Sequence, residues 1–184
     1  MMQIFHAATR PQTPWKNGGG ITRPVASAPG KTREFGWRLS LADVSMEGAF
    51  SCFPGISRLM GILHGQLHLE VEGLPPVTLR PESAAFAFPG DAPAYGTPLQ
   101  GPVQDINLMF DPDCFVATLE YAPHGVNRAA STAAHLLLAL KPLTVNGIEL
   151  AELDASFVPE HTEVVTSSGP LWVTSLHRRP SPEA

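Results

Sequence analysis

QLHLEVEG, the stretch from Gln66 to Gly73, alternates polar and apolar side chains at every position before its final glycine. The apolar residues are Leu67, Leu69 and Val71, and the polar ones are Gln66, His68, Glu70 and Glu72. Side chains of an extended chain point alternately to opposite faces, so this pattern predicts an amphipathic β-strand that ends in a glycine turn. We expect the strand to begin after a turn at His64-Gly65.

Similar runs recur on both sides of this stretch, separated by turn signals. The 19 prolines and 16 glycines of the chain interrupt helices and favour turns between short strands. The other predicted strands include EFGWRLSLADV, SRLMGIL, VTLR, AAFAFPG and VQDINLMF. Short strands at this spacing are typical of an antiparallel sandwich or barrel, so the chain is predicted to be all-β.

The order of these elements repeats later in the chain. LEVEG (69–73), VTL and AFAFPG are matched by LTVNG (143–147), IEL and ASFVPE, and each copy closes with a strand, VQDINLMF or PLWVTSLH. The repeat predicts that HLLLAL, which follows a run of good helix formers, is a strand like SRLMGIL. We therefore predict a bicupin of the RmlC-like cupin superfamily. Its two tandem jelly-roll-like β-barrels would span residues 1–112 and 113–177, with a disordered tail at 178–184.

Composition limits the possible partners and the compartment. The 184 residues are 43% hydrophobic and 16% charged, with a formal net charge of −5. The chain can bury a core, but no basic surface is expected for nucleic acid. The N-terminus is unlike a signal peptide and no apolar run reaches the ~18 residues of a membrane span, so we expect a cytoplasmic protein. Cys52 and Cys114 lack a partner pattern and are expected to be buried, inert thiols.

The spacing of the histidines bears on whether the protein holds a metal ion. Cupins that hold a metal present two histidines as H-x-H on one strand, a carboxylate, and a third histidine from a later strand. Here His64 and His68 are four positions apart, which separates their Cα atoms by about 13 Å on a strand. The later segment FPGDAPAYG contains no histidine. His68 and Glu70 are a remaining candidate pair of metal ligands, and the alternative is that they belong to a solvated polar face. We predict no metal and no other cofactor.

Polar residues also lie on strands that otherwise read as buried. Alternation places Arg58 on one face with Met60 and Ile62, while Asp105 and Asn107 share a face of VQDINLMF. If both halves pack together, this polar set would line an interior cavity in which Arg58 requires an anion. A ligand carboxylate is one interpretation. In the other interpretation, Arg58 pairs with Asp105 or lies in water at the rim of the cavity.

PWKNGGGITR (Pro14–Arg23) contains three consecutive glycines, which are costly in entropy and therefore indicate a need for bare backbone. Either another strand or an anionic ligand on exposed N–H groups would approach them. The candidate binding residues of this segment are Trp15, Lys16, Asn17, Gly18, Gly19, Gly20 and Arg23. A core aromatic is the alternative role for Trp15, and a solvated charge for Lys16. Pro24 is expected to keep the segment at a sheet edge or bulge.

Four blocks together resemble a known family. PWKNGGGITR, WRLSLADV from Trp37, GAFSCFPGISR from Gly48 and GPVQDINLM from Gly101 follow in this order over residues 14–109. They resemble the HutD/Ves family of small bacterial proteins. The resemblance implies a bicupin without a catalytic metal that binds a small acid such as urocanate or formylglutamate, with a regulatory role in histidine utilisation or in stress responses. Pro24 and Ser57 stand where this family often has acidic residues.

The sequence thus predicts a small anionic metabolite as the partner, clamped by Arg58, with no catalytic residue assigned. A metal-independent cupin isomerase or hydrolase using Asp105, Glu70 or His64 is an alternative, and a protein-interaction module is another. A homodimer is left open.

Overall fold

The computed structural model describes residues 2–31, 33–129, 131–162 and 164–180. The chain divides into two units, which are described separately below. The first unit comprises residues 11–112, and the second comprises residues 1–10 together with the chain from Asp113 onward. Apart from a single 3₁₀ turn at Ala7–Thr9, the described elements are strands, so the all-β prediction is confirmed.

The first unit is one antiparallel sheet of eight strands. Its strands are β2 (Thr13–Pro14), β3 (Gly20–Pro29), β4 (Phe35–Val44), β5 (Gly48–Ala49), β6 (Ser57–Val71), β7 (Val77–Leu79), β8 (Phe86–Pro89) and β9 (Ala94–Phe110). The hydrogen-bonded order is β2-β3-β4-β9-β6-β7, with β5 paired to β9 and β8 paired to β6. The apolar face that QLHLEVEG predicts is present, because Leu67, Leu69 and Val71 are buried in the core of this unit.

The second unit contains a five-stranded sheet and two further strand pairs. Its strands are β1 (Gln3–Phe5), β10 (Phe115–Ala122), β11 (Asn127–Ala129), β12 (Ala134–Ala139), β13 (Leu143–Val145), β14 (Ile148–Leu150), β15 (Ala155–Val158), β16 (Val164–Thr166) and β17 (Leu171–Arg178). The order in the sheet is β1-β15-β12-β17-β10, and the pairs are β11-β16 and β13-β14. The segment HLLLAL thus lies largely in β12, so the strand that the repeat predicts is confirmed. Asn146 and Gly147 both have positive φ in the turn that joins β13 to β14, as a two-residue hairpin requires.

The ends of the chain are arranged differently from the predicted domain bounds. Residues 1–10 group with the second unit, because Gln3–Phe5 pairs with β15 in antiparallel register. The predicted tail at 178–184 overlaps the end of β17, because Arg178 is the last residue of that strand and the backbone N–H of Arg179 donates to the carbonyl oxygen of Cys114 at 2.8 Å. Residues 181–184 lie outside the described residues.

The expected turn at His64-Gly65 is a bulge within a longer strand. β6 runs unbroken through these residues, and its register against β9 shifts on both sides of His64. Gly65 has a φ of +82°, and a Cβ there would lie 2.7 Å from the carbonyl oxygen of Pro102. The prediction of a turn was wrong because β9 is long enough to pair with β6 before and after the bulge. The bulge expected near Pro24 is confirmed between Pro24 and Ala26.

The described residues contain no helix with the length and apolarity that a membrane crossing needs. The expectation that both cysteines are buried was wrong: Cys52 is exposed and Cys114 is partly exposed. Cys52 lies in the segment between β5 and β6, where its Sγ contacts the carbonyl oxygen of Asp91 at 3.6 Å.

Candidate functional site

A cavity of about 470 Å³ opens on one face of the first unit, and every residue that lines it lies between Thr13 and Met109. Strand register explains how the polar residues meet. Three cross-strand rows bring them together: Arg38-Met109-Arg58, Ser40-Asn107-Met60 and Ala42-Asp105-Ile62. All of these residues except Ile62 line the cavity.

Arg58 is the buried cation of this cavity, with only 5% of its surface exposed. Its guanidinium carbon lies 4.7 Å from the ring centre of Phe88, 5.6 Å from that of Phe50 and 5.9 Å from that of Phe53. Nη1 donates a long hydrogen bond of 3.4 Å to the carbonyl oxygen of Ser51, whereas Nε is buried without a partner. Aromatic rings therefore hold the guanidinium in place without neutralising its charge.

Asp105 is more deeply buried, at 1% exposure, and its Oδ1 has no hydrogen-bond partner. Among the described residues, no ion pair within 4.0 Å joins it to Arg58. Burial raises the pKa of Asp105 to about 7, although the positive charge of Arg58 acts in the opposite direction. Burial also lowers the pKa of Arg58, to about 10, so this guanidinium stays protonated at neutral pH.

Arg38 is a second cation of the cavity, and the sequence analysis missed it. It lies across β9 from Arg58, with Met109 between them in register, so the two Cα atoms are about 10 Å apart. Its guanidinium carbon lies 4.7 Å from the ring centre of Phe35, and Nη2 contacts the sulfur of Met109 at 3.4 Å. Alternation in WRLSLADV could have found it, since Arg38 and Ser40 face away from Trp37 and Leu39.

The glycine segment borders the cavity through the residues that precede the glycines. Trp15, Lys16 and Asn17 line the cavity, while the glycines do not. The ring of Trp15 packs edge-on against Phe50 at 5.8 Å, and its Nε1 donates to Thr22 Oγ1 at 2.7 Å. Trp15 is thus both a wall of the cavity and part of the hydrophobic packing of this unit.

The N–H groups of Gly18 and Gly19 form hydrogen bonds within the protein. Gly18 donates to the carbonyl oxygen of Trp15 at 3.0 Å, and Gly19 donates to Oδ1 of Asn17 at 3.0 Å. At Gly20, an added Cβ would lie 2.6 Å from the carbonyl oxygen of Asp43 and 3.0 Å from the Trp15 ring. Of the two interpretations left open by the sequence, the close approach of protein atoms explains this glycine.

The predicted site residues therefore separate into two groups. The structure brings Trp15, Lys16, Asn17, Arg58, Asp105 and Asn107 to one cavity. It does not bring Gly18, Gly19, Gly20 or Arg23 to the lining. Arg23 forms an ion pair with Asp43 on the neighbouring strand instead. The residues that the sequence analysis did not assign include Arg38, Ser40, Thr22, Phe50 and Phe53.

The histidines of β6 lie away from this cavity. His64 is exposed at the bulge. His68 Nε2 lies 3.8 Å from Glu70 Oε1, and its Nδ1 lies 3.4 Å from Thr78 Oγ1. No group of three or more metal-ligating side chains is found within the parts of the chain that the structure covers.

Solved structures with very different sequences share this fold. The bacterial pirin YhhW of Escherichia coli matches with a TM-score of 0.66 and 8% identity, covering 100% of both chains. A mutant of the oxalate decarboxylase OxdC of Bacillus subtilis matches with a TM-score of 0.64 and 9% identity, over 95% of this chain and 76% of the other. At such low identity the likeness concerns the fold alone, and it confirms the predicted cupin fold.

Two further matches are similar in sequence as well. A protein from the hutC 3' region of Pseudomonas putida is 38% identical over 139 residues, which cover 74% of this chain and 72% of the relative. The structure of HutD from Pseudomonas fluorescens SBW25, determined in a formate condition, matches with a TM-score of 0.89 and 28% identity, over 98% of this chain and 100% of the other.

A shorter sequence match and a family model point to the same family. Protein Ves of Citrobacter koseri is 36% identical over 110 residues, which span 59% of this chain and 57% of Ves. The family model described as HutD matches residues 7–169. The resemblance seen in the sequence is confirmed, and the chain belongs to the HutD family.

Proposed function

We propose that this protein binds a small carboxylate metabolite in the cavity of its first unit and acts as a sensor or regulator. The carboxylate would lie against Arg58, with Arg38 as a second cation nearby. Asn17, Asp105 and Asn107 would supply further hydrogen bonds, and Trp15 would form a wall. Urocanate and formylglutamate are the candidate ligand classes.

The observation that carries the proposal is the state of Arg58. Removing a charge from water is expensive unless a partner of opposite charge is present, and buried charges in proteins are therefore usually paired. Arg58 is 5% exposed, its Nε has no partner, and its Nη1 makes one long hydrogen bond of 3.4 Å to the carbonyl oxygen of Ser51. Three phenylalanine rings have their centres within 5.9 Å of its guanidinium carbon. A carboxylate entering the cavity would provide the missing partner, with bidentate geometry suited to a guanidinium.

Relatives support the biological context of the proposal. The names HutD and hutC 3' region support a role in histidine utilisation, while the match to Ves leaves a stress-related role as the second context. We place this role in the cytoplasm. A homodimer stays a prediction that light scattering on the purified protein can test.

A thermal-shift screen of small carboxylates tests the proposal. The screen includes urocanate, formylglutamate and formate, each with its matching amide or alcohol as a control compound. A ligand present at 100 times its Kd stabilises the folded state by about 2.7 kcal/mol, a shift of several degrees for a domain of this size. We expect at least one carboxylate to raise the Tm, and its uncharged counterpart not to.

Variants connect that shift to the cavity. Arg58→Ala is expected to abolish the ligand-dependent shift while the protein still unfolds cooperatively. Arg80→Ala is the matched control, because Arg80 is exposed and lies outside the cavity lining. The proposal fails if no carboxylate stabilises the wild type, or if Arg58→Ala responds to ligand as the wild type does.

A metal-independent enzyme acting on the same acid is the second candidate, and one observation favours it. Asp105 lies in the cavity with its pKa raised by burial to about 7, which suits a group that exchanges protons near neutral pH. Turnover of urocanate or formylglutamate by the purified protein, lost in Asp105→Asn, would select this candidate over a sensor.

A further inference from the structure

A groove of about 590 Å³ lies on the first unit beside the cavity of Arg58. Its lining comes from the end of β6 and the turn that follows it, from the start of β9 and the segment before it, and from the chain around β5. Ala49, Tyr95 and Glu70 form a cross-strand row within it, because β9 pairs with β5 on one side and with β6 on the other. A volume of this size accommodates a small molecule.

Three carboxylates line this groove, and no lysine, arginine or histidine is found among its described lining residues. Glu70 and Glu72 are two positions apart, which places them on the same face with their Cα atoms about 7 Å apart. Asp91 lies in the turn two residues before Pro93, whose carbonyl oxygen accepts a hydrogen bond from the N–H of Glu72 at 2.9 Å. The pairing of these two segments makes the three acids neighbours.

The carboxylates of the groove are only weakly neutralised. Glu70 lies 3.8 Å from Nε2 of His68. Within the described chain, no ion pair within 4.0 Å joins Glu72 or Asp91 to a cation. Like charges held close together create a negative potential that repels anions and attracts cations. The groove therefore favours a positively charged ligand.

The rest of the lining is mostly apolar. Leu74 and Tyr95 both line the groove, and they are two of the six large hydrophobic side chains that are exposed in the described chain. A ligand that covers them gains free energy from the burial of apolar surface. Tyr95 is directly opposite Glu70 in the sheet, so a cationic group next to this carboxylate can also contact the face of the aromatic ring.

The groove and the cavity share only Ala49 and Phe50 among their described lining residues, and they differ in charge. The cations of the cavity lining outnumber its one acid, Asp105, and are Lys16, Arg38 and Arg58. The groove has acids and no described cation. A molecule suited to one of the two sites is therefore unsuited to the other.

We propose that this groove is a second binding site, which takes a small organic cation with an ammonium group on an aromatic or branched aliphatic body. The ammonium group lies among Glu70, Glu72 and Asp91 and against the ring of Tyr95. The apolar body covers Leu74. Amines without a carboxylate belong to this class, whereas carboxylates and zwitterionic amino acids do not, because the acids of the groove repel them.

Two compounds of nearly the same shape test the preference for a cation. 2-Phenylethylamine and 2-phenylethanol differ only in that the ammonium group of the first is a hydroxyl group in the second. Their affinities for the full chain are measured by NMR-detected titration of the ¹⁵N-labelled protein at pH 7. We expect the amide signals of Glu70–Leu74 and Ala94–Tyr95 to shift, and the amine to bind about tenfold more tightly than the alcohol. Raising the ionic strength from about 0.02 M to about 0.5 M should remove most of that difference, because exposed charges are screened.

A double variant assigns the preference to the acids of the groove. Glu70 and Glu72 are exposed, so Glu70→Gln/Glu72→Gln is expected to fold as the wild type does. It should bind the amine and the alcohol with affinities within about threefold of each other. Glu149→Gln/Glu152→Gln is the matched control, because it changes the net charge equally at exposed acids of the second unit. The control is expected to keep the full preference.

Cys52 reports whether the cation occupies the groove, because this thiol is exposed and belongs to the lining. At a concentration of 2-phenylethylamine equal to its Kd, half of the protein is occupied, and modification of Cys52 by methyl methanethiosulfonate should slow about twofold. Cys114, in the second unit, should react at an unchanged rate. Mass spectrometry measures the two cysteines separately.

Three results would overturn the cation site: equal binding of the amine and the alcohol by the wild type, a preference that survives in Glu70→Gln/Glu72→Gln, or unchanged modification of Cys52. Loss of the preference in Glu149→Gln/Glu152→Gln would assign it to net charge and overturn the site as well. Carboxylate binding at Arg58 is tested separately by the thermal-shift screen and does not depend on these outcomes.

Discussion

Arg58 and Asp105 lie on neighbouring antiparallel strands and line the same cavity, yet within the described part of the chain no ion pair joins them. Their offset in register is the cause: Asp105 is opposite Ile62, four residues along β6 from Arg58. Opposite charges this close still influence each other, since each shifts the pKa of the other toward ionisation. The cavity therefore holds a guanidinium and a carboxyl group that influence each other electrostatically without forming an ion pair.

Replacing Arg58 should not weaken the ligand-free fold. An unpaired buried charge destabilises the folded state, and an unbranched apolar side chain can keep the packing against the phenylalanine rings. We expect Arg58→Met to raise the free energy of unfolding by about 1–3 kcal/mol, measured by urea denaturation without ligand. Arg80→Met, at an exposed site, is the control and should change it by less than about 0.5 kcal/mol. A marked loss of stability in Arg58→Met would mean that the arginine serves the fold.

Asp105 should make the fold less stable as the pH rises. Its pKa is raised to about 7 in the folded protein, so the folded state binds a proton more tightly than the unfolded state does. The unfolding free energy should therefore fall between about pH 4 and pH 7 and level off above that range. Asp105→Asn removes this contribution to the pH dependence. We expect the unfolding free energy of the variant to exceed that of the wild type by about 2–4 kcal/mol at pH 8 and to equal it near pH 4. Urea denaturation across this range, with Asp91→Asn as control, checks the expectation; equal slopes in wild type and Asp105→Asn would contradict it.

The sequence could predict which face a side chain occupies but not which residues meet across strands. Period-two alternation was enough to place Arg58 with Met60 and Asp105 with Asn107, because that pattern depends only on local backbone geometry. The row that joins Arg38 to Arg58 depends on the pairing of β4, β9 and β6, which lie far apart in the chain. Alternation could have placed Arg38 on the polar face of β4, but its position opposite Met109 and near Arg58 depends on that pairing and could not be predicted from the sequence.

The glycines also show that sequence predicts local backbone geometry but not contacts between distant residues. A positive φ at Gly65 could be expected from the sequence, but a turn and a bulge differ only in whether a partner strand continues past the residue. The run at Gly18–Gly20 signalled a need for bare backbone. Only the contacts of the folded chain identify the neighbours of Gly20 as the Trp15 ring and the Asp43 carbonyl oxygen.

Gly20 should be intolerant of even one added carbon. Its neighbours are a backbone carbonyl group and a packed ring, neither of which can move easily, so we expect Gly20→Ala to lower the unfolding free energy by about 1–3 kcal/mol. Gly19→Ala is the control, because its Cβ would meet only the side chain of Asn17 at 3.3 Å, and its effect should stay below about 1 kcal/mol. Thermal or urea denaturation compares them. If Gly20→Ala is as stable as the wild type but has lost carboxylate binding, the glycine serves a ligand and not the packing.

The N-terminal strand of the second unit should depend on Asp154. This carboxylate accepts hydrogen bonds from the backbone N–H of Ala7 at 2.7 Å and from that of Ala151 at 3.3 Å, and it contacts Nδ1 of His6 at 3.1 Å. Burial acts to raise the pKa of Asp154, but these bonds outweigh it and the pKa is lowered. Its stabilising effect is therefore complete above the unfolded pKa of about 4 and disappears as the pH falls through the lower folded value. We expect Asp154→Ala to reduce the unfolding free energy by about 2 kcal/mol at pH 7. The difference in unfolding free energy between this variant and the wild type should become small at the lowest pH at which both are folded. Amide exchange in Gln3–Phe5 should be faster in the variant. Glu152→Ala, at an exposed acid two residues away, should leave exchange in β1 unchanged, and equal exchange in both variants would show that β1 is held by its pairing with β15 alone.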